Sequence, residues 1–231
     1  MVVAVSRSAS NRGIEADASF PTLDTLEDIG EGVTWLTANC PFMHAAHARA
    51  GMPPLRREPG GFAGLADIIV SQLVSLAAAD AIFTRLKAAV VPLAPEQLLA
   101  ASDESLRAVG LSGAKVKSLR AVAQSIADGD LNLDGLNLLS DAEAKAQLES
   151  LPGIGPWTSD IYVMFCLGRR DGFAPGDLAL RVAVGELLGL ADRPSVRETA
   201  EIAVRWRPWR GVAARQLWAY YRVNRLIGRE S

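Results

Sequence analysis

Cysteine is nearly missing from this chain: Cys40 and Cys166 are the only two in 231 residues. Their positions show no paired spacing. That excludes a disulfide framework and a four-cysteine zinc or iron–sulfur site. Histidine is equally scarce. His44 and His47 lie three apart without an acid partner, a pattern of surface residues rather than of metal ligands. The longest apolar runs are too short for a bilayer and are broken by polar residues, so no membrane role is expected. No basic region precedes the apolar start of Met1 to Ala18, so the segment does not read as a signal peptide. A soluble, cytoplasmic protein is the expectation. Period-2 alternation and internal repeats are also absent. The formal net charge of −2 offers no general attraction to nucleic acid.

What is present is a globular composition, 49% hydrophobic, in a chain long enough for one large domain or two small lobes. The charge is unevenly placed. Seven arginines and no acid lie between Arg205 and Arg229, whereas Glu15 to Glu31 carries six acids and no base. Such asymmetry can give a mildly acidic protein one basic face; the plainer reading is a solvated basic helix.

Residues 1–20 are rich in Ser, Ala and Asn and read as loosely ordered, with residues 21–231 forming the folded unit. Leu23, Leu26, Ile29, Val33 and Leu36 have helical spacing over Thr22 to Asn39, and a short helix follows Pro41. The loop from Met52 to Gly61 is full of breakers but is not expected to divide independent domains. Phe62 to Val90 is the most apolar region and predicts two central helices with a break near Ser71–Ser75. Short helices follow from Pro95 and Asp103, then a longer one after Leu111. Ser140 with Glu143, and Ser195 with Glu198, form capping boxes that open later helices. The last helix carries Leu217, Trp218, Tyr221 and Leu226. The fold expected is all-α, two-lobed, with a central cleft.

Between two of these helices runs Glu149-Ser150-Leu151-Pro152-Gly153-Ile154-Gly155-Pro156-Trp157-Thr158. Pro and two glycines between helical patterns describe a tight hairpin, because glycine accepts positive φ and close backbone approach. Pro156 suits the first turn of the next helix, whose free amides make a ready phosphate site. Twenty residues after Trp157, Asp177 follows a Pro-Gly break and opens another helix. Taken alone, Asp177 is an ordinary N-cap.

This arrangement resembles the helix-hairpin-helix of base-excision DNA glycosylases, and more narrowly their DNA-3-methyladenine glycosylase II (AlkA-type) branch in its short form, without the extra N-terminal domain. The resemblance covers Phe62 to the end of the chain. Its most specific parts are Glu149 to Arg181 and Arg205 to Trp218, which includes Arg205-Trp206-Arg207-Pro208-Trp209-Arg210. One branch of that superfamily carries a four-cysteine cluster, which this chain cannot.

The resemblance implies a role for each matching residue. Asp177 becomes the catalytic carboxylate, stabilising positive charge on the deoxyribose and orienting or deprotonating the attacking water. Trp157 stands where strand-cutting relatives carry a nucleophilic lysine, so a monofunctional hydrolase without lyase activity is implied. Lys145, upstream, reads as a surface charge. Trp157 and Trp218 are the implied base sandwich, with Tyr162 and Leu178 completing the pocket; the plain alternative is that both tryptophans are core. Electron-rich faces suit a cationic, methylated purine. Trp206 and Trp209 read as structural anchors.

The amides of Gly153, Ile154, Gly155 and Thr158 would grip DNA. Leu73, together with Gln72, would fill the gap left by the flipped nucleotide, against the alternative that Leu73 is core. Arg181 would either salt-bridge Asp177 or touch DNA. The family's hairpin often holds a monovalent cation, Na+ or K+, here at the backbone carbonyls of Glu149, Leu151 and Gly153; no other cofactor is implied. The expected partner is double-stranded DNA with alkylated bases, and the expected working unit is a monomer. The expected activity is removal of 3-methyladenine and 7-methylguanine. Its rivals are a glycosylase for deaminated or oxidised bases and a non-catalytic DNA-binding protein.

Overall fold

The computed structural model describes residues 20–227. The loosely ordered segment expected at residues 1–20 therefore lies outside the described residues, apart from Phe20. Twelve α-helices and three short 3-10 or π turns account for the regular structure, and no strand occurs among the described residues.

Caps decide where most helices begin. Thr25 and Asp28 form a capping box that starts α1 (Leu26–Asn39). The helix thus opens later than the apolar spacing from Thr22 suggests. Leu23 instead donates its backbone N–H to Gly168 O at 2.8 Å. Pro41 then occupies the first turn of α2 (Pro41–Ala50). After the Met52–Gly60 loop come α3 (Gly61–Ser71) and α4 (Leu76–Ala89), separated at the break expected from sequence. Serine caps open α6 (Asp103–Ala108) and α7 (Gly113–Ala127), which follow α5 (Pro95–Ala100). The capping boxes at Ser140 and Ser195 open α8 (Asp141–Glu149) and α11 (Val196–Ala203). Between them lie α9 (Pro156–Ile161), its π-helical continuation Tyr162–Cys166, and α10 (Leu178–Leu188). The described residues end in α12 (Arg210–Ile227).

Two groups of helices result. In one, α1 and α2 from the start of the chain pack against α10 and α12 from its end. In the other, α3 packs against α4, α7, α9 and the π turn. One buried apolar cluster runs through both groups, from Ile29, Leu36 and Met43 to Leu65, Ile69, Leu119 and Leu217. No helix among the described residues is long and apolar enough to cross a membrane.

Several arginines of the arginine-rich tail are engaged within the fold. Arg215 is buried and donates to Leu55 O, Gly211 O, Arg56 O and Met164 O. Arg210 grips Asp171 through Nε and Nη2, both at 2.9 Å, and Arg225 pairs with Glu186 at 2.7 Å. These arginines join the end of the chain to its middle. Trp206 and Trp209 are buried anchors beneath them.

Candidate active site

Asp177 is where the two groups of helices meet. Pro175-Gly176 breaks the chain, and Asp177 caps α10 by accepting the Leu180 N–H on Oδ1 at 3.0 Å. Two further donors converge on the same carboxylate. Trp157, in the first turn of α9, donates its indole Nε1–H to Oδ2 at 3.0 Å. Trp218, midway along α12, donates its own to Oδ1 at 3.0 Å. A carboxylate has about four acceptor positions. Three are filled by the protein, and the vacant one is on Oδ2. Cap and site thus coexist in one residue. All three residues are half-buried, so the carboxylate is sheltered but reachable. Trp218 also stacks at a tilt on buried Phe165, ring centroids 5.5 Å apart.

Neither tryptophan is a sealed core residue; each turns its N–H edge onto the carboxylate. Leu178, one residue on, is exposed at the head of α10. Tyr162, in contrast, does not line the pocket. It is fully buried, and its hydroxyl accepts the Gly61 N–H at 3.1 Å. Its side chain reaches the start of α3, at the first residue of the π turn. Burial pushes the phenol pKa above its ordinary range.

The hairpin has the expected form. Gly153 has φ +81°, and an added Cβ there would lie 1.9 Å from Ser118 Oγ. The N–H groups of Gly153, Gly155 and Thr158 have no protein acceptor among the described residues. Ile154 differs. Its N–H closes the turn onto Leu151 O at 3.1 Å, so it is not free for a phosphate. Two of the three carbonyls that the resemblance implies for a monovalent cation already accept one hydrogen bond each. Leu151 O accepts the Ile154 N–H, and Gly153 O accepts the Gln72 amide at 3.1 Å. Each of these two oxygens keeps a second lone pair.

Gln72 is turned inward to the hairpin, where it also donates to Thr158 Oγ1 at 2.8 Å. It does not point out toward a DNA gap. Leu73 does point out, with positive φ and full exposure, which overturns its core reading. Arg181 makes no ion pair with Asp177; its Nε donates to Pro194 O at 2.9 Å and ties α10 to the loop before α11.

Lys145 is not a free surface charge. It donates to Asp160, a buried residue of α9. Burial outweighs this partner and raises the Asp160 pKa to about 6. Beside the pair, Ser159 donates to Glu149. These contacts fasten α8 to α9 from behind. A cavity of about 510 Å³ opens there, lined by Asp141, Lys145, Glu149, Asp160 and Arg210 together with apolar residues such as Val163 and Phe173. His44 is exposed, and His47 hydrogen-bonds Gln216 at 3.2 Å. No cluster suited to a metal occurs among the described residues.

Sequence reasoning missed Arg215 and the Gln72 contacts. A lone arginine amid apolar helix residues, and a glutamine before a leucine, carry no pattern that names their partners.

Residues 66–208 match the sequence model of the HhH-GPD superfamily base excision DNA repair protein. DNA-3-methyladenine glycosylase 1 of Schizosaccharomyces pombe is 30% identical over 168 residues, 71% of this chain and 72% of that one. A probable bifunctional transcriptional activator/DNA repair enzyme AlkA of Mycobacterium tuberculosis is 40% identical over 107 residues. That match spans 46% of this chain and only 20% of the relative's length. Among solved structures, the Schizosaccharomyces pombe 3-methyladenine DNA glycosylase Mag1 in complex with abasic DNA superposes with TM-score 0.73 at 26% identity. The superposition covers 81% of this chain and 95% of that one.

Proposed function

Because this chain belongs to the HhH-GPD superfamily of base excision DNA repair proteins, we propose that it is a monofunctional DNA glycosylase acting on duplex DNA. Its substrates in this reading are alkylated purines, 3-methyladenine and 7-methylguanine. It works as a cytoplasmic monomer and needs no cofactor. The observation that carries the reading is the Asp177 carboxylate, fixed by Trp157 and Trp218. Support also comes from relatives of this chain that are themselves 3-methyladenine glycosylases.

Breaking an N-glycosidic bond builds positive charge on the sugar. A negative group held rigidly in a sheltered site stabilises that charge without reorganising. The two indole N–H groups and the Leu180 amide supply the rigidity. The vacant position on Oδ2 is then available to orient the attacking water. Methylation at a ring nitrogen makes the purine cationic, hence a good leaving group that needs no strong acid. The electron-rich faces of Trp157 and Trp218 attract such a base.

No amine stands at position 157, and the Lys145 ammonium is engaged by Asp160. The product is therefore an abasic site with an intact strand. The free amides of Gly153, Gly155 and Thr158 hold the phosphate near the lesion. Exposed Leu73 enters the space left by the flipped base.

The test is base release from DNA treated with a methylating agent, comparing the wild type with Asp177→Asn. Release of methylpurine by the wild type but not by the variant, with strand breaks only after alkali, is the expected result. Duplex binding without release from any lesion would leave a DNA-binding protein instead. Breaks without alkali would require a lyase amine.

A further inference from the structure

Leu73 has a costly conformation. Its φ of 57° lies in the left-handed region, which strains a non-glycine residue. Its side chain is fully exposed, and the neighbouring Val74 and Leu76 are exposed too. No packing of Leu73 itself holds it there. The supports come from outside the turn. Lys115 Nζ, at the start of α7, donates to Val70 O at 2.8 Å and closes the end of α3. Ser75 Oγ accepts the Ala78 N–H at 3.3 Å and opens α4. Between these two fixed points, Gln72 reaches across to the hairpin and donates to both Gly153 O and Thr158 Oγ1. Thr158 is almost fully buried, and Gly153 is seated against Ser118 of α7. The anchor at the far end of Gln72 is therefore rigid.

We propose that Gln72 is a positioning residue that locks the Leu73 turn to the hairpin, so that the wedge and the phosphate grip approach DNA as one jaw. The inference rests on the function proposed above. Each element alone makes a limited contact. A leucine on a strained, unsupported turn would sample several directions and lose ordering free energy each time it enters the duplex. With Gln72 in place, the spacing between Leu73 and the amides of Gly153 and Thr158 is set before DNA arrives. The gain appears only when there is a gap to fill. Gln72 should therefore govern the preference for gapped over intact duplex, not general affinity.

The test measures binding of the full chain to duplex containing a stable abasic-site analogue and to the intact duplex, by fluorescence anisotropy. Gln72→Met keeps the length and removes both donors. It is expected to lower the preference for abasic over intact DNA by about five- to tenfold, while leaving intact-duplex affinity and its salt dependence unchanged. Leu73→Ala should lower the preference similarly. The double variant should be no worse than Leu73→Ala alone, because one residue acts through the other. Thr158→Val removes one of the two acceptors and should give a partial loss; it decides the matter if Gln72→Met melts early. Wild-type preference in Gln72→Met, losses that add in the double variant, or an equal loss on intact duplex would each overturn the proposal. Base release by the wild type separates the two readings. If it occurs while Gln72→Met keeps its preference, only the jaw fails. A wild type with neither release nor preference overturns both.

Discussion

The indole Nε1 of Trp157 donates to Oδ2 of Asp177 at 3.0 Å, across twenty residues of sequence and the gap between two groups of helices. The position where the resemblance implies a nucleophilic amine in strand-cutting enzymes carries here a donor to the carboxylate proposed to be catalytic. A residue that cannot attack the sugar thus fixes the orientation of that carboxylate.

Trp218→Phe keeps a ring beside Phe165 and removes one donor to Asp177. Hydrogen bonds to a charged group are worth about 1.5–3 kcal/mol. Single-turnover base release should fall by about tenfold or more, with Trp157→Phe behaving alike. Stopped reactions on methylated duplex under enzyme excess measure this.

The two roles of Asp177 are separable. Asparagine remains a good N-cap, whereas alanine is not. Both Asp177→Asn and Asp177→Ala should lose activity, but the alanine variant should be less stable than the asparagine variant by about 1 kcal/mol. Urea unfolding of the two variants gives the difference.

Asp160 should make stability depend on pH. Its folded pKa is raised to about 6 from an ordinary value of 3.8. The folded state therefore holds this proton over a range where the unfolded state has released it. The associated stability is fully present below about pH 4 and is lost as pH rises through about 6. Asp160→Asn cannot titrate. Relative to that variant, the wild type should lose on the order of 2–3 kcal/mol between pH 4 and pH 7. Paired thermal melts across that range test the sign.

Gly153→Ala sets a Cβ against Ser118 and onto a backbone with φ +81°. A loss of about 2 kcal/mol or more is expected. Adding Ser118→Gly should return only the steric part, since the strain of positive φ remains. Denaturant midpoints of the single and double variants separate the two.

Arg215 donates to carbonyls from three segments of the chain while fully buried, which lowers its pKa to about 10. Lysine cannot span this set. Arg215→Lys should destabilise by about 3 kcal/mol or more, because several buried carbonyls lose their donor. Its effect on base release should track its effect on folding, as seen by comparing activity with melting temperature.

Features specified by neighbours in sequence were legible in the chain itself. The hairpin follows from Pro152, Gly153, Gly155 and Pro156, and the capping boxes follow from Ser140 and Ser195 with the acids three residues on. Asp177 as a cap, the break between α3 and α4, and the missing amine at Trp157 are equally local. Such signals are short-range because caps, turns and periodicity involve only a few consecutive residues. Contacts over long sequence separations carry no such signature. Trp218 meets Asp177 from 41 residues away, and Gln72 meets Thr158 from 86. Sequence assigned Tyr162 to the pocket and left Leu73 between core and surface. Packing against the start of α3 buried the first, and the strained α3–α4 turn exposed the second. Which face a side chain presents depends on how helices pack against one another, and that is decided only when distant segments compete for the same space.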